Sequence, residues 1–585
     1  MTLTTRRFSL LGLAAALCAA LSLPLNAQTD RPSQPEPAGI RSEKKLAHAT
    51  RYMVAAAHPL AVDAGLQMLD AGGSAVDAMI AVQLVLNLVE PQASGIGGGA
   101  FLLHFDAKAR AIRAYDGRET APAAATPELF MRDGKPMNFR EAVTGGRSVG
   151  APGVARLLET AHRKHGRLPW ADLFKPAIEL AENGFPMPDR VHALLLRDRA
   201  IAGEAAARSY FLQADGTPKP AGTLLRNPEF ARTLRTIAGG GADAFYQGDI
   251  ARAIVAAVRG HAANPGLLSE ADLAAYQVRE VDALCGPYRA YRICGMPPSS
   301  SGGIAVLQIL GLLSLQKLSA VQPGSTQAVH LLAEAGRLAY ADRNRWVGDD
   351  RFVDVPVRGL IDPAYLAARA RLIRTDRSMG TAEAGRPSGA AVVYADDPVE
   401  EVAGTSQVAI VDGDGNAVSL TTTIENFFGS RIMVGGFLLN NQLTDFNFNP
   451  VESGQPVANA VAPGKRPRSS MAPTLVFRDN GDLHLVLGSP GGSRIINYVA
   501  KTLIAALDWN LDIQSAIALP NTGSRNGPTE IERGTEAEAL AAPLRGMGHI
   551  VEVADMTSGL HGIMRDGKGW QGGADPRREG IAKGR

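Results

Sequence analysis

Gly404-Thr405-Ser406-Gln407-Val408-Ala409-Ile410-Val411, then Asp412-Gly413-Asp414-Gly415-Asn416, then Ala417-Val418-Ser419-Leu420-Thr421-Thr422-Thr423-Ile424-Glu425, is the stretch whose reading decides the fold. Two β-prone runs flank a turn of Asp, Gly and Asn, which is the pattern of a β-hairpin. Pairing Val411 with Ala417 sets Thr405 opposite Thr423. Period-two alternation then places Glu425 on the face of Thr423. A slip of two residues preserves those faces, so two hydroxyls and a carboxylate gather at one end of the hairpin. A threonine-rich strand without chemistry has the same composition, and it is the commoner meaning of a Thr cluster taken alone.

Upstream, residues 375–404 are polar and rich in Gly and Asp, and read as an exposed linker. Residues 150–280 carry Ala, Leu and charged residues at helical spacing. The run Pro297-Pro298-Ser299-Ser300-Ser301-Gly302-Gly303 is a loop entering a helix, and Gly95-Ile96-Gly97-Gly98-Gly99 leads into a strand at 100–105. Downstream, a strand at 483–487 runs into Gly488-Ser489-Pro490-Gly491-Gly492, with a helix beginning near Ser493. Backbone N–H groups at such a junction face a developing negative charge; a plain tight turn is the alternative. No Gly-Lys-Ser/Thr follows, so it is not a phosphate loop. Ser489 does not stand in a G-x-S-x-G elbow. His162 and His165 lie among basic residues and read as a solvated helix face rather than a metal site.

With 585 residues the chain exceeds what one simple core needs, and its net charge is only +2. It holds no basic block interleaved with aromatics, which argues against a nucleic-acid partner. Arg6 and Arg7, an apolar run over 8–25 and the small residue Ala27 have the order of an export signal over 1–27, so the protein is expected to be periplasmic or secreted. No other stretch reads as membrane-spanning: 75–89 is apolar, but Asp77, Gln83 and Asn87 interrupt it, as in a buried helix. Removing the signal leaves Cys285 and Cys294. A hairpin turning at Arg289-Ala290 sets them opposite each other, which fits a disulfide; two buried thiols are the alternative.

Gly404-Thr405-Ser406 through Thr421-Thr422-Thr423-Ile424-Glu425 and Phe428-Gly429 resembles the signature of the gamma-glutamyltransferase family. The likeness continues in Ala57-His58-Pro59-Leu60, Ala71-Gly72-Gly73-Ser74-Ala75-Val76-Asp77, Gly95-Ile96-Gly97-Gly98-Gly99, Asp116-Gly117-Arg118-Glu119 and Met296-Pro297-Pro298. It ends with Leu439-Asn440-Asn441-Gln442, Arg466-Pro467-Arg468-Ser469-Ser470-Met471 and Gly488-Ser489-Pro490-Gly491-Gly492-Ser493-Arg494. The resemblance implies a four-layer αββα fold of the N-terminal-nucleophile hydrolases and a precursor that cuts itself between Gly404 and Thr405. A large piece, 28–404, and a small piece, 405–585, would then form a heterodimer.

A threonine hydroxyl is a weak nucleophile without a base. Cleavage would free the α-amine of Thr405, whose ordinary pKa of about 7.7–8 suits a base near neutral pH. No metal or organic cofactor is needed. Glycine at 404 is expected to permit an unusual backbone conformation there. By the resemblance, Thr423 orients Thr405, and Gly491 and Gly492 form the oxyanion hole. Arg118, Ser469 and Ser470 take the donor's α-carboxylate, an arginine fork suiting that group. Glu425, Gln442 and Asp445 take its α-ammonium. The donor would be glutathione or another gamma-glutamyl compound, the acceptor water, an amino acid or a peptide.

The chain departs from the family pattern at Gln407, where histidine is usual, and at Ala409, where a hydroxyl residue is usual. The stretch from Asp445 to Ser469 is short and has no tyrosine, which implies a lidless, open site. Two rival readings remain. A glutaryl- or cephalosporin-type acylase has no need of Glu425 and Asp445, because its substrate lacks the ammonium. A catalytically silent exported binding protein has no need of Thr405, Thr423 or the glycine pair.

Overall fold

The computed structural model describes residues 41–585, Ala403 excepted; the expected signal segment lies outside the described residues. Alternation along the strand Thr405–Val411 organises the rest. Val408 and Ile410 face one core, shared with the helices Pro59–Asp70 and Ala75–Val89, while Ala409 and Val411 face a second. A strand apolar on both faces has to be covered on both, and this one is buried along its whole length. The hairpin register runs from Thr405 opposite Thr423 to Val411 opposite Ala417, as the sequence pairs them. Asp412 fixes the turn, its Oδ1 accepting from the amides of Asp414 and Asn416 at 3.0 Å each.

The hairpin lies inside a seven-stranded sheet ordered Ile581–Gly584, Met53–Ala56, Thr405–Val411, Ala417–Thr423, Gly99–Asp106, Ala111–Gly117, Arg279–Val281. A second seven-stranded sheet stacks on it, ordered Ala47–Ala49, Gly569–Ala574, His561–Asp566, Leu483–Gly488, Thr474–Arg478, Tyr291–Gly295, Leu284–Tyr288. Phe105 meets Phe477 edge-on across the sheets at 4.9 Å, and Ser419 Oγ donates to the Leu487 carbonyl at 2.9 Å. The helices Gly302–Leu313, Thr326–Trp346 and Ile495–Leu507 cover the second sheet's outer side. The architecture is therefore the expected four-layer αββα sandwich.

The helix Ala75–Val89 is buried at every residue, and Asp77, one of its polar interruptions, has a use. Ser74 and Asp77 form a reciprocal cap at its start. The same Asp77 carboxylate accepts from the amides of Arg167 and Leu168 at 2.9 and 3.1 Å. In the edge hairpin Cys285 stands opposite Cys294, and their sulfurs are bonded.

Two expectations are corrected. His162 and His165 are not a solvated face: His162 Nε2 lies 2.9 Å from the Leu168 carbonyl oxygen, and His165 Nε2 lies 2.7 Å from the Tyr115 hydroxyl and stacks on His104. Aromatic surface and ring nitrogens found partners that sequence spacing does not show. Residues 375–404 are exposed over their first part only. Asp397 is fully buried, accepting from Asn447 and Asn459 at 3.0 and 3.2 Å and pairing with Arg468 at 3.2 Å. Polar composition suggested solvent, but buried amides and a guanidinium supply what a buried carboxylate requires.

Candidate active site

The Gly404–Thr405 peptide lies at the open end of the hairpin. Thr405 Oγ1 donates to Thr423 Oγ1 at 3.2 Å, and Thr423 Oγ1 donates in turn to the Gly404 carbonyl at 2.5 Å. The Glu425 amide donates to Thr423 Oγ1 at 2.8 Å, and Arg578 Nη1 donates to the Thr405 carbonyl at 3.1 Å. Both faces of the strand pair are covered, so these hydroxyls sit in a buried environment where each bond is stronger than in water.

Register explains Thr405 and Thr423 but not Glu425. The strand ends at Thr423, and Glu425 turns away with φ +79, so its carboxylate is not placed by strand alternation as the sequence suggested. Oε1 accepts from the Val402 amide at 3.3 Å, and Oε2 accepts from Asn441 Nδ2. Gly404 also differs from expectation. Its φ is outside the left-handed region, and what demands glycine is crowding: a Cβ there would lie 2.4 Å from the Glu425 carbonyl oxygen. The Gly95–Gly99 cluster serves the same end, since a Cβ on Gly98 would lie 2.1 Å from the Thr423 carbonyl oxygen.

Arg118, Gln442 and Asp445 come together. Arg118 Nη2 donates to Asp445 Oδ2 at 2.5 Å and to the Arg468 carbonyl at 3.0 Å, and Gln442 Nε2 donates to the same Asp445 oxygen at 2.7 Å. Burial opposes the charge on Arg118, but the carboxylates of Asp445, Glu119 and Glu401 outweigh it and hold its pKa above the ordinary value. Asp445 Oδ1 and Gln442 Oε1 are buried acceptors without a hydrogen-bond partner. Such atoms are rare in folded interiors and fit a cationic donor.

Ser469 and Ser470 are held by the 297–303 loop. The Ser469 amide donates to the Ser299 carbonyl at 3.2 Å, and the Ser301 amide donates to the Ser469 carbonyl at 2.7 Å. Ser470 turns both its amide and its hydroxyl to a carboxylate, that of Glu401, at 2.6 and 3.0 Å. Gly491 and Gly492 follow the strand Leu483–Gly488 with φ +139 and +56, ahead of the helical turns that begin at Gly492. A Cβ on Gly492 would lie 2.3 Å from the Glu401 carbonyl oxygen, which also accepts from the Ser493 amide at 3.2 Å.

The site is therefore not open in this uncut chain. Residues 401–402 run over it, and Arg118, Ser469, Ser470, Glu425, Gln442 and Asp445 are all buried. The absence of a tyrosine-bearing lid says nothing about a cover supplied from upstream of Thr405.

Sequence reasoning missed four participants. Arg343, on the helix Thr326–Trp346, donates to Ser470 Oγ at 2.8 Å and to Ser301 Oγ at 2.9 Å. Arg578 reaches the Thr405 carbonyl from the far end of the chain. Glu401 and the Ser299–Ser301 loop complete the set. The loop is visible in the sequence as a loop but not as part of a site, and Arg343, Arg578 and Glu401 carry no local signal, because their value comes from what the fold brings to them. Gln407, at the departure from the family pattern, accepts from Thr421 Oγ1 at 2.6 Å and donates to Ser419 Oγ at 3.0 Å, joining the polar ties between the sheets.

The comparisons agree with this geometry. The family model described as Gamma-glutamyltranspeptidase matches residues 61–585. The glutathione hydrolase proenzyme of Bacillus subtilis (strain 168) is 38% identical over 589 residues, covering 98% of each chain. That of Escherichia coli (strain K12) is 35% identical over 564 residues, covering 93% of this chain and 94% of its own. The crystal structure of a cephalosporin acylase from Bacillus halodurans superposes with a TM-score of 0.81 at 26% identity, covering 95% of this chain and 99% of its own. With the family model spanning the site and most of the described fold, the chain belongs to the gamma-glutamyltranspeptidase family.

Proposed function

We propose that the protein is a glutathione hydrolase and gamma-glutamyltransferase that matures by cutting its own chain before Thr405. The observation that carries this reading is the relay Thr405–Thr423–Gly404 on an intact peptide. Thr405 Oγ1 attacks the Gly404 carbonyl carbon. Thr423 steadies the oxygen that gains charge, and the peptide C–N bond breaks as the nitrogen takes a proton. Water then hydrolyses the resulting ester, leaving the Gly404 carboxylate on residues 28–404 and a free amine on residues 405–585.

In the mature enzyme that amine takes the proton from Thr405 Oγ1, which attacks the γ-carbonyl of the donor. Backbone N–H groups at Gly491 and Gly492 stabilise the oxyanion. The leaving amine departs with the proton, and the gamma-glutamyl ester passes to water or to the amine of an amino acid or peptide. Arg118, Ser469 and Ser470 receive the donor's α-carboxylate. Glu425, Gln442 and Asp445 receive its ammonium, and the unpartnered Asp445 Oδ1 and Gln442 Oε1 support that assignment.

An oxidising location after export fits the bonded Cys285 and Cys294, and no described helix is long and apolar enough to cross a membrane. The deciding experiment compares turnover of gamma-glutamyl-p-nitroanilide with that of glutaryl-p-nitroanilide, alongside N-terminal sequencing of the smaller fragment. A fragment starting at Thr405 with preference for the gamma-glutamyl amide is expected. Preference for the glutaryl amide would transfer the protein to the acylases, and an inert, uncut chain would make it a binding protein.

A further inference from the structure

Two residues upstream of the cut make contacts that resemble those assigned to the donor. Glu401 places its carboxylate against the Ser470 amide at 2.6 Å, the Ser470 hydroxyl at 3.0 Å and Arg343 Nη2 at 2.5 Å. Val402 donates its amide to Glu425 Oε1 at 3.3 Å, where an ammonium would donate. Between them the Glu401 carbonyl oxygen lies against the Gly491–Gly492 turn, accepting from the Ser493 amide. One carboxylate and one N–H donor thus occupy contacts assigned to the donor's α-carboxylate and α-ammonium, while the carbonyl oxygen lies beside Gly492 and is bonded to the Ser493 amide.

We propose that Glu401-Val402 is an internal copy of the donor that holds the binding site until the chain is cut, and that Arg343 is consequently a carboxylate-binding residue of the mature enzyme. The inference rests on the functional reading above. Arg343 is suited to the role: it is buried, its Nε is fixed by Ser301 Oγ at 2.9 Å, and the Nη2 that donates to Glu401 also donates to Ser470 Oγ at 2.8 Å. Its guanidinium is therefore oriented before any donor arrives. The occupant, by contrast, is not packed on every side. Asp396, Pro398 and Glu400 of the same segment border a cavity of about 550 Å³ also lined by Arg525 and Asn344, so one flank of the segment is not packed. Cleavage gives its downstream end a charged carboxylate and removes the covalent tether at Gly404.

L-Glutamate carries both the α-carboxylate and the α-ammonium and serves as the probe. Calorimetry on the full Thr405→Ala chain, which stays uncut, should show binding at least tenfold weaker than to the cut wild-type enzyme. Adding Glu401→Ala to Thr405→Ala should restore at least tenfold. Equal binding by the uncut Thr405→Ala chain and the cut enzyme would overturn the proposal, as would no gain from Glu401→Ala. Failure of the cut enzyme itself to bind L-glutamate would instead overturn the functional reading.

For Arg343, the readout is the ratio of kcat/KM for gamma-glutamyl-p-nitroanilide to that for its α-carboxamide analogue. Arg343→Lys should lower this ratio at least tenfold in cut protein with unchanged melting temperature. An unchanged ratio would remove Arg343 from the subsite. Should Arg343→Lys fail to fold or mature, Glu401→Gln tests the same pocket from the other side. Loss of the carboxylate charge should raise L-glutamate binding to the Thr405→Ala chain at least threefold, and no rise would count against the proposal.

Discussion

Thr423 donates its hydroxyl to the Gly404 carbonyl at 2.5 Å, directly on the peptide that joins Gly404 to Thr405. One side chain from the opposite strand therefore touches both the Thr405 hydroxyl and the Gly404 carbonyl that the proposed cleavage joins. A hydrogen bond to the oxygen that gains charge is worth most when nothing has to reorganise, and here the hairpin register provides that preorganisation.

Removing that donor should slow maturation. Thr423→Val, similar in shape but without the hydroxyl, is expected to slow cleavage about 100- to 1,000-fold, the usual cost of losing one oxyanion donor. Thr423→Ser should stay within about tenfold. Time-resolved denaturing gels of freshly purified chain measure both.

Thr405→Ala should yield a single uncut chain with turnover down by at least about 1,000-fold, because nucleophile and base are lost together. Thr405→Ser should still cut, and sequencing of its smaller fragment should begin at the new serine. A Thr405→Ala chain that cut itself normally would place the chemistry elsewhere.

Gly404→Ala tests crowding separately from nucleophilicity. Its Cβ would lie 2.4 Å from the Glu425 carbonyl oxygen and 2.7 Å from the Asn426 carbonyl carbon, so the scissile peptide has to shift. Cleavage is expected to fall at least about tenfold, since misplacing reacting atoms by about 1 Å can cost 100-fold. Circular dichroism and melting temperature should stay close to wild type.

Glu119 supplies a pH test. Burial raises its pKa to about 8, against the pull of Arg118, and neither oxygen has a hydrogen-bond partner in another residue. A carboxyl raised in the folded state contributes stability that is complete below its ordinary pKa of about 4.5 and is lost as pH rises towards 8. Glu119→Gln should therefore flatten the fall in stability between pH 5 and 8 relative to wild type, by roughly 3.5 kcal/mol at most. Denaturant titrations of both proteins at the two pH values decide it, and an equal slope would show that Glu119 ionises without penalty.

Turnover by the cut enzyme should rise with pH as the Thr405 amine loses its proton. For an amine with an ordinary pKa of about 7.7–8, the acid limb of kcat/KM lies in that region. A pH profile on gamma-glutamyl-p-nitroanilide reads it. A flat profile from pH 6 to 9 would exclude the amine as base.

The hairpin, its register and the helix Ala75–Val89 were legible because their signals are local: alternation, turn residues and an apolar run interrupted by polar residues. The four layers were legible only through the resemblance; that Thr405–Val411 is apolar on both faces is what the fold shows. The donor pocket was legible only through resemblance, since nothing in the spacing of Arg118, Gln442 and Asp445 brings them together. Residues 375–404 misled because composition cannot distinguish polar groups that face water from polar groups that face other polar groups. Asp397 and Glu401 are of the second kind, and Arg468 and Arg343, the partners that bury them, are distant in sequence. Glu425 misled for a smaller reason: the strand stopped two residues before it.

The two sheets interleave the chain on either side of Gly404. Met53–Ala56 lies between Ile581–Gly584 and Thr405–Val411, Gly99–Asp106 pairs with Ala417–Thr423, Ala47–Ala49 with Gly569–Ala574, and Tyr291–Gly295 with Thr474–Arg478. Once severed, the halves are therefore held by shared ladders rather than by an interface they could slide apart on. Unfolding such a nicked molecule makes renaturation a meeting of two strangers. The intact chain should refold at a rate indifferent to dilution, and the nicked one more slowly the thinner the solution.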